Sequence, residues 1–296
     1  MKRIVECVPN FSEGRRPEII AQIVHVMEDV QGVKVLDTSS DPAHNRTVVT
    51  FIGSPESVAE AAFAAIRKAA ELIDMDSHQG EHPRMGATDV VPFVPIAGVT
   101  MDDCVQIARQ VGSRVGQELG IPVYLYQEAA ARPDRANLGK LRPKAHQYEQ
   151  KKAEVGSNSR WDPDFGPHRV GKAGITAIGA RPPLIAFNVY LTTSDVDVAE
   201  RVARAIRHSS GGLAFVKARG FLVDGKAQVS MNLTDFRRTP LHRVVEMIRR
   251  EAARFGVGIQ SSELVGLIPQ QALVDAAEWY LQLDNLDDQI ILENRL

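Results

Sequence analysis

The chain has 296 residues, 44% of them hydrophobic and 24% charged, with a formal net charge of −2. That balance fits a globular protein of one large or two modest domains and gives no reason to expect nucleic acid or an acidic lipid surface as partner. The two cysteines, Cys7 and Cys104, show neither metal-ligand spacing nor a disulfide framework, the start MKRIVECVPNF has no apolar signal core, and no run is long enough to span a bilayer; a cytoplasmic protein is expected.

Arg3 to Val8 alternates as a strand, and Pro9 to Gly14 turns the chain out of it. Pro17 suits a first helical turn, with Ile19, Ile20, Ile23, Val24 and Met27 at helical spacing and Gly32 as the stop. Val33 to Thr38 reads as a second strand, the polar stretch Ser39 to Asn45 as a loop, and Arg46 to Gly53 as a third strand. Ser54 caps a helix opened by Pro55 and running to about Ile73. After the segment Asp76 to Asp89 comes a strand ending at Pro95, a helix from Asp102 to Leu119, and a short strand from Val123 to Tyr126. The order strand-helix-strand-strand-helix-strand is a split β-α-β unit.

From Ala131 to Arg160 lysine and arginine occur eight times, at 132, 135, 140, 142, 144, 151, 152 and 160, against three acids. Such a run ordinarily faces water; the functional alternative is an electropositive rim for a polyanionic ligand tail. Trp161 to Pro183 is dense in glycine and proline and reads as a linker between domains, or as the floor for a flat anionic ligand. The first pattern then returns. Leu184 to Leu191 is a strand, Ser194-Asp195 caps a helix to about His208, and a hairpin turns at Asp224-Gly225 between Ala214–Val223 and Lys226–Leu233. A helix from Thr239-Pro240 to Phe255, a short strand from Val257 to Gln260 and a last helix from Pro269 to Leu281 follow. Asp284 to Leu296 is an acidic tail expected to fray or to cap a neighbour.

The chemistry is expected at Asp76 to Pro95, DSHQGEHPRMGATDVVPFVP, where His78, Glu81, His82 and Arg84 crowd a turn delivered onto an apolar strand. His78 to His82 matches H-x-x-E-H, but a zinc site of that type needs both imidazoles on one helical face. Gly80 inside the turn and Pro83 after His82 oppose that helix, so no metal is expected. A neutral imidazole used for proton transfer is the better functional reading, against the plainer one of a loop-bracing histidine. Arg46 and Arg84 are candidates for gripping carboxylates, or else loop-bracing ion pairs.

Six segments, ECVPNFSEG (Glu6 to Gly14), NRTVVTF (Asn45 to Phe51), HQGEHPRMGATDVVPF (His78 to Phe93), DFGP (Asp164 to Pro167), GARPPLIAFN (Gly179 to Asn188) and SELVGLIP (Ser262 to Pro269), together resemble glutamate formiminotransferases in order along the chain. The resemblance implies two ferredoxin-like α/β subdomains, 1–180 and 181–296, with a ligand cleft between them. It looks like the monofunctional form, without the cyclodeaminase to which the domain is fused in vertebrates. It implies transfer of the formimino group between N-formimidoyl-L-glutamate and tetrahydrofolate, in histidine degradation, by a homodimer. By the same resemblance the catalytic histidine is His82. The folate-contacting strip is Pro163, Asp164, Phe165, Gly166, Pro167, His168, Arg169, Val170, Gly171 and Lys172. Two departures stand out: some relatives carry an acid where this chain has Ser39, with Asp41 nearby, and the loop from His168 to Lys172 differs from theirs. Formyl transfer between folate and glutamate, or folate binding without catalysis, are the alternatives.

Overall fold

The computed structural model describes residues 2–295 other than 144, 285 and 287–289. It divides into two compact units, Met1–Pro182 and Pro183–Leu296. Among the described residues no helix is long and apolar enough to cross a membrane.

The first unit runs β1 (Ile4–Cys7), β2 (Asn10–Phe11), α1 (Pro17–Glu28), β3 (Lys34–Asp41), β4 (Arg46–Gly53), α2 (Pro55–Leu72), β5 (Thr88–Ala97), α3 (Met101–Glu118) and β6 (Val123–Gln127). The short helices α4 (Leu138–Leu141) and α5 (Tyr148–Glu154) and the strand β7 (Thr176–Ala180) complete it. The helix starts follow the sequence signals. Ser54 accepts a hydrogen bond from Ser57 N with Pro55 in the first turn, and Thr100 and Asp103 form a reciprocal capping box on α3. β1 and β2 are two pieces of one central strand, broken at Val8-Pro9, and both lie antiparallel between β4 and β5, with β3 outside β4. On the far side, β7 and β6 extend the sheet in parallel pairing from β5. Val5, Cys7, Val49, Phe51 and Phe93 meet Ile23, Phe63, Ile66, Cys104 and Val111 of the three long helices in one core. Because side chains alternate along β4, Arg46, Val48 and Thr50 turn to the opposite face.

The second unit repeats the split β-α-β order: β8 (Ile185–Leu191), α6 (Val196–Ile206), β9 (Val216–Val223), β10 (Lys226–Leu233), α7 (Leu241–Ala253), β11 (Ile259–Val265) and then α8 (Gln270–Leu281). Its sheet order β11-β8-β10-β9 is antiparallel throughout. The hairpin turns where expected, with φ of 48° at Asp224 and 74° at Gly225, the left-handed pair that a two-residue turn of this hand requires.

Three expectations are corrected. The stretch Pro9 to Gly14 is not only a turn, since Asn10 and Phe11 pair on both sides. Ser39 to Asp41 is strand rather than loop. Within the expected linker, Thr176–Ala180 is an interior strand buried along its whole length. Its sequence TAIGA carries no alternation because both faces are covered, and Gly179 is small because a Cβ there would enter the Tyr126 ring. Of the acidic tail, 285, 287–289 and 296 lie outside the described residues, and Ile290 and Leu292 are exposed.

Candidate active site

The residues singled out between Asp76 and Asp89 fold as a non-helical loop that runs into β5. It is fastened to the turn between β3 and β4. Asn45, at a left-handed φ of 48°, accepts from Gly14 N at 2.9 Å and donates to Gln79 O at 2.9 Å. Ser12 Oγ donates to Gly86 O at 2.8 Å, and Glu13, buried, receives Arg15 N, Arg16 N and Arg16 Nε. The ECVPNFSEG and NRTVVTF segments thus form the cradle of the histidine loop. A pocket opens there, lined by Ser12, His44, Asn45, Arg46, His78, His82, Pro83, Arg84 and Asp89.

The two histidines of the loop have different environments. His78 donates from Nε2 to Asn45 O at 3.0 Å and accepts from Arg84 Nε at 3.3 Å on Nδ1, so both ring nitrogens are committed to bracing. Burial lowers its pKa. His82 donates from Nδ1 to Pro83 O at 2.7 Å, which leaves Nε2 with the lone pair, and the Arg46 guanidinium presses against the ring. Burial first, then Arg46 and Arg142, drive the His82 pKa down to about 3. So placed, the imidazole is held in its neutral form.

Arg46 is itself held by Asn10 Oδ1 at 2.9 Å through Nε. Behind it stands Asp89, which accepts from Met85 N at 2.8 Å, lies 4.0 Å from Arg46 and is ion-paired with Arg142. Side-chain exposure is 17% for Arg46, 10% for Arg142 and 3% for Asp89, so two guanidiniums share one carboxylate out of bulk water. Burial pulls Arg46 down to about 10; burial and the neighbouring Arg46 pull Arg142 down to about 9. The surplus positive charge beside His82 favours an anionic ligand. Arg84 differs: it is spent on Glu149, at 2.6 and 3.0 Å, on Gln147 and on His78 O.

The strip from Pro163 to Lys172 belongs to the same unit. Its first half is built into the fold: Asp164 accepts from Leu125 N at 2.7 Å and pairs with buried Arg135 at 2.7 Å, and Phe165 O receives Val123 N. Gly166 adopts φ 88° against Gly116, where any Cβ would strike Ile121 O. Val170 is buried, whereas His168, Arg169, Gly171 and Lys172 face solvent. Just past its end the strip is stitched to the histidine loop by Met75 N to Lys172 O at 2.9 Å, Ala87 N to Ala173 O at 2.8 Å and Ile175 N to Met85 O at 2.9 Å.

Sequence reasoning missed the inward turn of the basic run. Arg135, Arg142 and Lys151 are buried or nearly so, and Lys144 lies outside the described residues. The signal was present in the company they keep: Leu141 before Arg142, and Tyr148 three residues before Lys151, are core residues.

Residues 4–181 match the formiminotransferase domain, N-terminal subdomain, and residues 186–295 match the formiminotransferase domain. The chain belongs to the formiminotransferase domain family. It is 53% identical over 295 residues to the glutamate formimidoyltransferase of Thermoplasma acidophilum, covering 99% of this chain and 97% of that one. It is 47% identical to the glutamate formimidoyltransferase of Streptococcus pyogenes, covering 100% of this chain and 99% of the relative. The formimidoyltransferase-cyclodeaminase of Sus scrofa is 47% identical over 97% of this chain, which spans 54% of that longer protein.

Proposed function

We propose that this protein is a glutamate formimidoyltransferase: it moves the formimino group between N-formimidoyl-L-glutamate and tetrahydrofolate, its co-substrate, with His82 handling the proton. The relatives that match over nearly their full lengths carry that name. The observation that carries the reading is the neutral His82 ring beside two buried guanidiniums served by one carboxylate.

The reaction needs an amine to attack the formimino carbon and a proton to pass from the incoming to the leaving nitrogen. It needs no covalent nucleophile. A substrate carboxylate is the natural occupant of the surplus positive charge, and Arg46 is the better placed of the two arginines singled out from sequence, because Arg84 is committed to Glu149. Burial is the first cause that lowers the His82 pKa and Arg46 the second, so a substrate carboxylate against Arg46 offsets part of the shift and moves the ring toward the basicity that proton transfer requires. Holding both co-substrates side by side supplies the larger share of acceleration, up to roughly 7–11 kcal/mol for well-oriented partners.

The strip Pro163 to Lys172 supports the folate assignment through its fixed backbone and its exposed Arg169 and Lys172, which suit a glutamyl tail. Subdomains 1–180 and 181–296, a homodimer, a cytoplasmic location and a role in histidine degradation complete the proposal. Leu264, Val265, Leu273, Trp279 and Tyr280, all more than a third exposed on the second unit, support self-association.

His82→Ala tests the reading. It should fold and bind folate while transfer falls by about 10²–10⁴-fold in kcat. Unchanged turnover would overturn the role of His82, and turnover of a formyl donor in preference to the formimino donor would move the activity to formyl transfer.

A further inference from the structure

A second imidazole faces the same pocket. His44 lies in the turn between β3 and β4, its ring centroid 5.9 Å from that of His82 and inclined at 66°. Its Nδ1 donates to Asp41 Oδ2 at 2.5 Å, while Asp41 Oδ1 accepts from Ala43 N at 2.8 Å and His44 N at 2.9 Å. Those bonds, led by the His44 amide, hold the Asp41 carboxyl below its ordinary pKa, so it is a carboxylate under all working conditions. A carboxylate on Nδ1 leaves Nε2 carrying the lone pair, which makes the outer nitrogen a base.

The turn is also fixed more firmly than a simple connection requires. Arg15 Nε donates to Pro42 O at 2.8 Å, Glu81 N to Ala43 O at 3.4 Å, and Asn45 bonds to both Gly14 and Gln79. Gly80 comes so close that a Cβ there would strike His44 O. The imidazole is held from beneath while its side chain stays 46% exposed at the mouth of the pocket.

We infer that His44, oriented by Asp41, is a second catalytic residue of this site, taking the proton from the attacking nitrogen while His82 delivers one to the leaving nitrogen. The inference rests on the formimino-transfer reading above. One C–N bond forms between the folate amine and the formimino carbon, and the C–N bond to the glutamate nitrogen breaks. His44 Nε2 gains the proton lost by the attacking amine, water at the exposed rim relays it to the neutral His82 ring, and His82 loses it to the glutamate nitrogen. The two rings stand 5.9 Å apart, centroid to centroid, on the lining of one pocket. His82 alone would have to reverse its role between two nitrogens while its Nδ1 stays bonded to Pro83 O.

The experiment measures kcat and KM for both co-substrates on the full chain, with His44→Ala, His44→Gln and Asp41→Asn, with and without added imidazole. His44→Ala and His44→Gln should each lose about 10²-fold in kcat with KM within about threefold of the parent, and Asp41→Asn about tenfold. Imidazole should restore part of the kcat of His44→Ala. Parent-like kcat in both His44 variants overturns the inference, as does a loss that sits in KM and ignores imidazole, the mark of a loop brace. A parent protein that transfers no formimino group would overturn the functional reading as well; an active parent with unimpaired His44 variants would overturn only this inference.

Discussion

Acidification should destabilise the first unit, and the His82 ring should carry a measurable share of the loss. An unfolded histidine protonates near its ordinary value of 6.5, whereas His82 in the folded chain does so only at about 3. Between those values the unfolded state binds more protons than the native one. The stability linked to His82 is therefore complete above about 6.5 and is lost as the pH falls toward 3. Each pH unit inside that window costs about 1.4 kcal/mol. From pH 7 to pH 5 the loss through His82 is about 1–2 kcal/mol, the lower figure allowing for the open side of the ring. The assay is urea denaturation at both pH values, parent against His82→Gln. A Trp279→Phe background leaves Trp161, in the first unit, as the fluorescent reporter. His78, whose pKa is also lowered, is present in both proteins and cancels. The glutamine variant should lose less stability than the parent by that margin. Equal losses would show that His82 protonates freely in the native state, and the account of a ring held neutral by burial and by Arg46 and Arg142 would fall.

Two further outcomes follow from the buried charges. Asp89→Asn strands Arg142 without its anion and should destabilise the protein by about 3–5 kcal/mol in denaturation, whereas a loss below about 1 kcal/mol would mean the pair is not closed off from water. Lys151, fully buried, has its ammonium 3.3 Å from the centre of the Trp161 ring with no hydrogen-bond partner among the described residues, and burial pushes its pKa down to about 7. Because the folded value is lowered, the cost of keeping this lysine is absent at high pH and grows as pH falls toward 7. Lys151→Met should therefore stabilise by about 1–3 kcal/mol at pH 7, and its advantage should shrink by pH 10; an advantage indifferent to pH would refute the buried amine as its source.

The parts of this fold that were readable in the sequence are those where local chemistry has one solution. Ser54-Pro55 and Thr100 with Asp103 announce helices because an unsatisfied first turn needs such residues, and Asp224-Gly225 announces a hairpin because only a left-handed pair closes it. The doubled strand-helix order was legible for the same reason. β7 was not, because an interior parallel strand of small residues carries no alternation and its glycine answers to Tyr126, fifty-odd residues earlier in the chain. At the site, the crowding of His78, His82 and Arg84 marked the loop that lines the pocket, but their different partners within it did not follow from spacing. Asn45 O meets one ring and Arg46 the other, and those partners arrive from the start of β4 and the turn before it. Arg142 was hidden by its neighbours, since a basic run suggests solvent until Asp89 is seen behind it.

Gly86 and Gly174 touch backbone to backbone where the histidine loop meets the segment after the strip, and a Cβ on either would collide with the other's chain. With no side chain between them there is nothing to deform, so the two peptides behave as one rigid plate. The histidine loop and the segment after the strip therefore hold each other in place through these two peptides. Neither glycine can take a side chain without displacing the backbone that faces it.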